Sequence, residues 1–139
     1  MGLVHAEITL TNTSDIEMVE RGYMKKEEIR TQTVIAMVDS GAYMMAINET
    51  VKAQLGLKTK SKRAAQIADG SVVELDIVGP IDIRFENRDA SCNAMVLPGD
   101  SEMLLGAIPM EEMDVVILPR EQKLVVNPAH PNVAQLSLK

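Results

Sequence analysis

The chain has 139 residues with a single cysteine, no tryptophan and two histidines. The lone Cys92 excludes an intramolecular disulfide, and His5 and His130 stand far apart with no ligand spacing between them. No metal and no cofactor is therefore expected. Aromatic residues make up 2% of the chain, which denies any ligand cleft the large flat anchors that strengthen binding. Positive charge is also scarce: the net charge is −6, and the densest basic run is Lys58-Thr59-Lys60-Ser61-Lys62-Arg63, read as a solvated loop. Nucleic-acid binding needs a concentrated basic surface, so no nucleic-acid partner is expected. The start, Met1-Gly2-Leu3-Val4-His5-Ala6, shows no basic segment followed by a long apolar run, and Ala6 stands where a myristoylation signal requires Ser or Thr. No membrane association is expected, and the protein is read as cytoplasmic.

Apolar residues at 46% and charged residues at 24% are values of an ordinary globular chain. The length suits one domain over residues 1–139, with a C-terminal tail from about residue 132, and is short for two packed lobes. Leu3 to Thr11 reads as a first strand, followed by a polar stretch from Asn12 to Arg30. That stretch carries a Ser14-x-x-Glu17 pattern resembling a capping box, but no helix is assigned to it. Thr33 to Val38 is an apolar strand, Met44 to Ile47 a short apolar segment, and Asn48 an N-cap for a helix through Leu55 ended by Gly56. Val73, Leu75 and Ile77, then Ile81, Ile83 and Phe85, alternate with polar residues around Gly79-Pro80, predicting a long bent strand. Asn87-Arg88-Asp89 predicts a hairpin turn into Ala90 to Leu97, and Pro98-Gly99-Asp100 a second turn. Met103-Leu104-Leu105 is a brief strand before a short helix from Pro109 to Met113, and Val115 to Leu118 and Lys123 to Val126 close the chain. The fold class is mostly β with one or two short helices.

Residues 38 to 42, Val-Asp-Ser-Gly-Ala, stand where the Thr33 to Val38 strand stops, so a tight turn of small residues presents one acid, Asp39. In isolation such a triplet is a common turn. A carboxyl becomes a useful general acid and base when its pKa is split from that of a neighbour, and the simplest neighbour is a second carboxyl. The chain has no second Asp-Ser/Thr-Gly, so that partner would come from another copy.

The order Val38-Asp39-Ser40-Gly41-Ala42, Leu55-Gly56-Leu57, Ala68-Asp69-Gly70 between two strands, and Leu104-Leu105-Gly106 before a short helix resembles the retropepsin-like, clan AA, aspartic proteases of the bacterial single-domain type. The closing Asn127-Pro128-x-His130-Pro131 fits the same group, so the likeness spans nearly the whole chain. It implies a homodimer of closed acid-protease barrels, each subunit giving Asp39 to a dyad that activates a water to hydrolyse a peptide bond. By the same resemblance Ser40 would hydrogen-bond across the dimer axis, Gly41 would allow the tight turn and Ala42 would fill the space behind it. Position 40 is Ser where many members have Thr; the hydroxyl is kept. Ala68, Asp69 and Gly70 would form the tip of a β-hairpin flap over an extended peptide or protein substrate, and Leu104, Leu105 and Gly106 would pass behind the active-site turn.

Bland readings stand beside these. Asp69-Gly70 is by itself a hairpin-turn dipeptide, and Leu104-Leu105-Gly106 is core strand plus turn. The ten Met, Met44, Met45, Met103, Met110 and Met113 among them, read as adaptable core filler, with some available to line an apolar cleft. The expectation is an aspartic endopeptidase; the alternative is a catalytically weak or inactive dimer of the same fold acting as a peptide-binding or scaffolding module.

Overall fold

In the computed structural model, which describes residues 3–67 and 69–136, the chain opens with an antiparallel pair, β1 (His5–Asn12) and β2 (Thr31–Val38). Ala6, Ile8, Leu10 and Asn12 alternate inward along β1, as a strand with one covered face requires. Between the two strands the polar stretch does form a helix, α1 (Thr13–Glu20), followed by a 3-10 turn at Lys26–Glu28. Its cap is Asn12, whose side chain accepts the Asp15 N–H at 3.2 Å, and not the Ser14-x-x-Glu17 pattern. Asp15 is buried and takes both the Arg30 guanidinium (2.9 Å) and the Arg30 backbone N–H (3.0 Å). This pair, fifteen residues apart in sequence, stabilises a helix too short to stand by itself.

β3 (Met45–Asn48) is buried throughout and leads directly into α2 (Glu49–Leu55). The Asn48 side chain accepts the Val51 N–H at 2.9 Å and donates to the Ser101 carbonyl at 3.0 Å, which fixes the helix start against the turn after the sixth strand. Val51 and Leu55 face the core, and Gly56 at φ +62° ends the helix in the left-handed conformation that favours glycine.

The basic run expected as a loop is instead a strand, β4 (Thr59–Gln66), paired antiparallel with β5 (Val72–Phe85). It is exposed along almost its whole length, so no apolar alternation marks it in the sequence. β5 exchanges neighbours at Gly79-Pro80: its first half pairs with β4 and its second half with β1, and the register against β6 (Arg88–Leu97) shifts there. The β5–β6 turn is Glu86-Asn87, not Asn87-Arg88-Asp89, because Arg88 already belongs to β6 and is buried. β7 (Leu104–Leu105) lies between β2, to which it is parallel, and β3.

The seven-stranded sheet has the order β1-β2-β7-β3-β6-β5-β4, and β1 also pairs with β5, so its neighbours run round a ring with β4 outside it. Ile8, Leu10, Met45, Ile47, Ile81, Ile83 and Leu105 point inside, and burial of each such side chain contributes about 1.5–3 kcal/mol. α3 (Ala107–Met113) covers one end with Met110 and Met113, and the hairpin β8 (Val115–Leu118) and β9 (Lys123–Val126) follows it.

One polar cluster joins these last elements. Arg88, 1% exposed, donates from Nη2 to the His130 carbonyl, while its Nε and Nη1 have no partner among the described residues. Its charge faces Asp114, whose Oδ2 lies 4.0 Å away. Asp114 in turn accepts from Asn127 Nδ2 (3.0 Å) and the Gln135 N–H (3.0 Å), and its Oδ2 bonds His130 Nδ1 at 2.7 Å. These contacts, the Asn127 amide foremost, hold the Asp114 carboxyl at about 2, below the usual carboxylate range. A carboxyl depressed in the folded state contributes stability that is complete above its unfolded value near 4 and is lost as pH falls towards its folded value. Urea midpoints measured from pH 5 to pH 2 should therefore fall more steeply for the native chain than for Asp114→Asn, with the protection of the Gln135 amide, taken relative to its intrinsic exchange rate at each pH, falling over the same interval. Parallel slopes for the two proteins would contradict this role.

Candidate active site

Asp39 follows the last residue of β2, and its position is set by backbone on three sides. Its N–H donates to the Leu105 carbonyl at 3.0 Å, its carbonyl accepts the Ala42 N–H at 3.1 Å, and its Oδ1 accepts the Gly41 N–H at 2.9 Å. The preceding β2 residues are clamped in the same way, with Met37 N–H on the Met103 carbonyl (2.9 Å) and Val38 N–H on the Val4 carbonyl (2.7 Å). The carboxylate is thus aimed by its own turn, an arrangement in which one oxygen is occupied by a backbone donor. Ser40 is exposed, and its hydroxyl has no hydrogen-bond partner among the described residues.

The turn rests on the β7–α3 junction. Ala107 N–H donates to the Ala42 carbonyl at 2.8 Å and Ile108 N–H to the Tyr43 carbonyl at 3.1 Å. Between these bonds lies Gly106, where a Cβ would run into the Met44 carbonyl and come within 2.9 Å of the Ala42 carbonyl oxygen. Its φ of −87° is open to any residue, so the requirement for glycine is the close approach of two backbones. Leu104 and Leu105 bring this junction into place through their pairing with Met37, Val38 and Ala46.

Across from the turn stands the β4–β5 hairpin. Its tip is closed by Ile67 N–H on the Ser71 carbonyl (3.0 Å) and Gly70 N–H on the Ile67 carbonyl (2.9 Å), with Gly70 at φ +88°. Asp69 Oδ1 accepts the Ser71 N–H (2.8 Å) and hydroxyl (2.5 Å), bonds that lower its pKa. Ala68, the remaining candidate at this tip, lies outside the described residues.

Turn and hairpin enclose a groove of about 790 Å³. Asp39, Gly41, Ala42 and Gly70 line it together with Leu104, so the structure brings members of all three candidate segments to one space. Ser40, Asp69, Leu105 and Gly106 are not part of the lining; Leu105 and Gly106 act from behind the turn. The methionines divide: Met45, Met103, Met110 and Met113 are core, whereas Met44 lines the groove. Sequence reasoning missed Met95 and Leu97 on β6, Tyr43, and Arg63 and Gln66 on β4. The period-2 pattern of β6 could have pointed to Met95 and Leu97; nothing in the exposed β4 run distinguishes Arg63. Among the described residues, no group of three or more His, Cys, Asp or Glu side chains is placed to hold a metal ion, and no helix is long and apolar enough to cross a membrane.

A mostly β chain with a ring-like sheet, an acid at a strand end and a glycine-backed turn is the arrangement of the retropepsin-like class. The family described as gag-polyprotein putative aspartyl protease matches residues 26–112, more than half of the chain, and the chain belongs to that family. The match runs from the 3-10 turn before β2 into α3, and so takes in Asp39, the β4–β5 hairpin and Gly106. No curated protein gives a match.

The packing at position 106 yields a direct test. Gly106→Ala should cost about 1–3 kcal/mol, the range for forcing an extra carbon into a packed site, and should displace the Ala42–Met44 backbone. An unchanged urea midpoint together with unchanged amide shifts at Gly41 and Ala42 would refute the close-approach argument.

Proposed function

We propose that the protein is an aspartic endopeptidase that acts as a homodimer, with Asp39 of each subunit forming the catalytic dyad. The observation that carries this reading is the Asp39 carboxylate, fixed by the Gly41 N–H and facing a groove large enough for an extended peptide segment, in a chain of an aspartyl protease family. Asp39 is the sole acid lining that groove among the described residues, so the two-carboxyl chemistry needs a second copy. Two carboxyls about 3 Å apart share one proton instead of both ionising. The ionised one takes a proton from water as the oxygen attacks the peptide carbonyl; the protonated one hydrogen-bonds the carbonyl oxygen and gives it its proton. Collapse of the resulting tetrahedral diol breaks the C–N bond, and the nitrogen leaves with a proton returned from the dyad.

The remaining site residues take supporting roles in this reading. The exposed Ser40 hydroxyl is free to bond its counterpart across the two-fold axis. The β4–β5 hairpin acts as the flap: among the described residues its tip is held by local bonds alone, which suits a lid that opens and closes over substrate. Backbone groups of the hairpin would hold the peptide extended, as in strand addition. The alternative is a dimer that binds peptide in the same groove without cutting it; the placement of an acid at the groove is an unrewarded charge repulsion in that case.

Asp39→Asn keeps the shape of the side chain and removes the base. Peptide-library cleavage assayed from about pH 3 to pH 8 should favour the acid side, be inhibited by pepstatin-type compounds, and drop to background in this variant while the dimer persists in sedimentation. Hydrolysis surviving in Asp39→Asn would remove Asp39 from the mechanism, and a native dimer that never cuts would favour the binding module.

A further inference from the structure

We infer that Arg63 is a specificity-determining residue of the groove, selecting extended peptides that carry a carboxylate side chain beside medium-sized apolar residues. The inference rests on the groove being the peptide site proposed above.

Arg63 and Asp39 are the charged residues that line the groove among the described residues. The other cations of β4 are engaged elsewhere: Lys60 Nζ donates to Asn93 Oδ1 at 3.3 Å, and Lys62 pairs with Asp76 at 3.9 Å. Arg63 makes no ion pair or hydrogen bond among the described residues, Asp39 included, and for the acids of β5 the pleat explains why. Its cross-strand partner is Leu75, with Val73 and Ile77 diagonal to it on the same face, whereas Glu74 and Asp76 stand opposite Ala64 and Lys62 and so face the other way. The Arg63 side chain therefore stands on an apolar face of the hairpin with no acid of β5 beside it. The rest of the lining is chiefly apolar, with Met44, Met95, Leu97 and Leu104 offering flexible or branched aliphatic surface and Gln66 a neutral amide. An unpaired cation against an apolar groove is complementary to an acidic side chain flanked by aliphatic ones.

Arginine suits this task because it stays charged at any working pH and presents a planar fork that matches a carboxylate. The substrate acid is the partner that titrates. A peptide Glu loses its charge below about pH 4.3, so the preference should be full at neutral pH and fade as the assay becomes acid.

Binding to the Asp39→Asn chain separates this inference from catalysis. Fluorescent peptides with a Met/Leu core, identical except for Glu, Gln or Lys at one flanking position, would be titrated by polarisation at pH 6.5 and at pH 3.5. The Glu peptide should bind about fivefold more tightly than its Gln counterpart at pH 6.5, with the ratio falling to about one at pH 3.5. Adding Arg63→Gln should bring the ratio to about one at both pH values, and Arg63→Glu should turn the preference to the Lys peptide. A Glu preference unchanged by Arg63→Gln, or no peptide bound by the Asp39→Asn chain, would overturn the inference. A native chain that cuts nothing while the Arg63-dependent preference persists would sink the endopeptidase reading and leave this one standing.

Discussion

The hydrogen atom that serves as the Gly106 side chain is the constraint on which the site depends. Because nothing projects from that Cα, the β7–α3 junction lies directly against the carbonyls of Ala42 and Met44. Two further bonds, from Ala107 to Ala42 and from Ile108 to Tyr43, then lock the turn to the first residues of α3. Leu105 accepts the Asp39 N–H from the other side. Asp39 is therefore not carried by a free loop: its backbone is fastened to a strand whose own side chain, Leu105, is fully buried. Precision of this kind is what a catalytic carboxyl requires, since a displacement of about 1 Å can cost orders of magnitude in rate.

The two walls of the groove are built on opposite principles. The Asp39 wall is anchored by β3, buried throughout, and by the inward faces of β2 and β7, while the β4 arm lies almost wholly in solvent and pairs in the sheet with β5 alone. Few buried contacts and backbone bonds open to water make an element of low local stability, so the hairpin can move without disturbing the ring. At the far end, Arg88 and Asp114 gather His130, Asn127 and Gln135 around a charged centre. Removing Asp114 would leave the buried Arg88 charge without its counterpart, which is more costly than never having placed the pair there. The low pKa of Asp114 keeps this centre ionised into the acid range in which paired carboxyls are active.

Much of this was legible in the amino-acid order wherever burial imposes a period. β5 declared itself through Leu75, Ile77, Ile81 and Ile83, its bend through Gly79-Pro80, and α2 through Asn48 and Gly56, whose cap roles are local chemistry. The small-residue turn at Asp39 and the Leu-Leu-Gly segment were also visible, although their contact was not, because it joins residues more than sixty positions apart. The failures share a cause. α1 depends on Asp15 meeting Arg30, and β4 on β5 lying beside it; neither pattern is written in the neighbouring residues. Arg88 looked like a turn residue because an arginine in a strand is normally exposed, and only the carbonyl of His130 and the carboxylate of Asp114 make its burial tolerable.

The single acid at the groove ties the fold to the proposed chemistry. The ring-like sheet with its connections runs from β1 to β7, and its groove receives a single acid among the described residues. A second carboxyl supplied within the same chain would require another strand-end turn with its own glycine-backed support, and hence another core to hold it. Association of two copies, as proposed, would bring a second Asp39 already mounted in an identical turn. In that proposed dimer the exposed Ser40 hydroxyl would stand beside the two-fold axis, where a short hydroxyl can both donate to and accept from its neighbour's turn. In the proposed dimer the acid, its hydroxyl neighbour and the glycine behind them would form one half of a site that the two-fold axis completes.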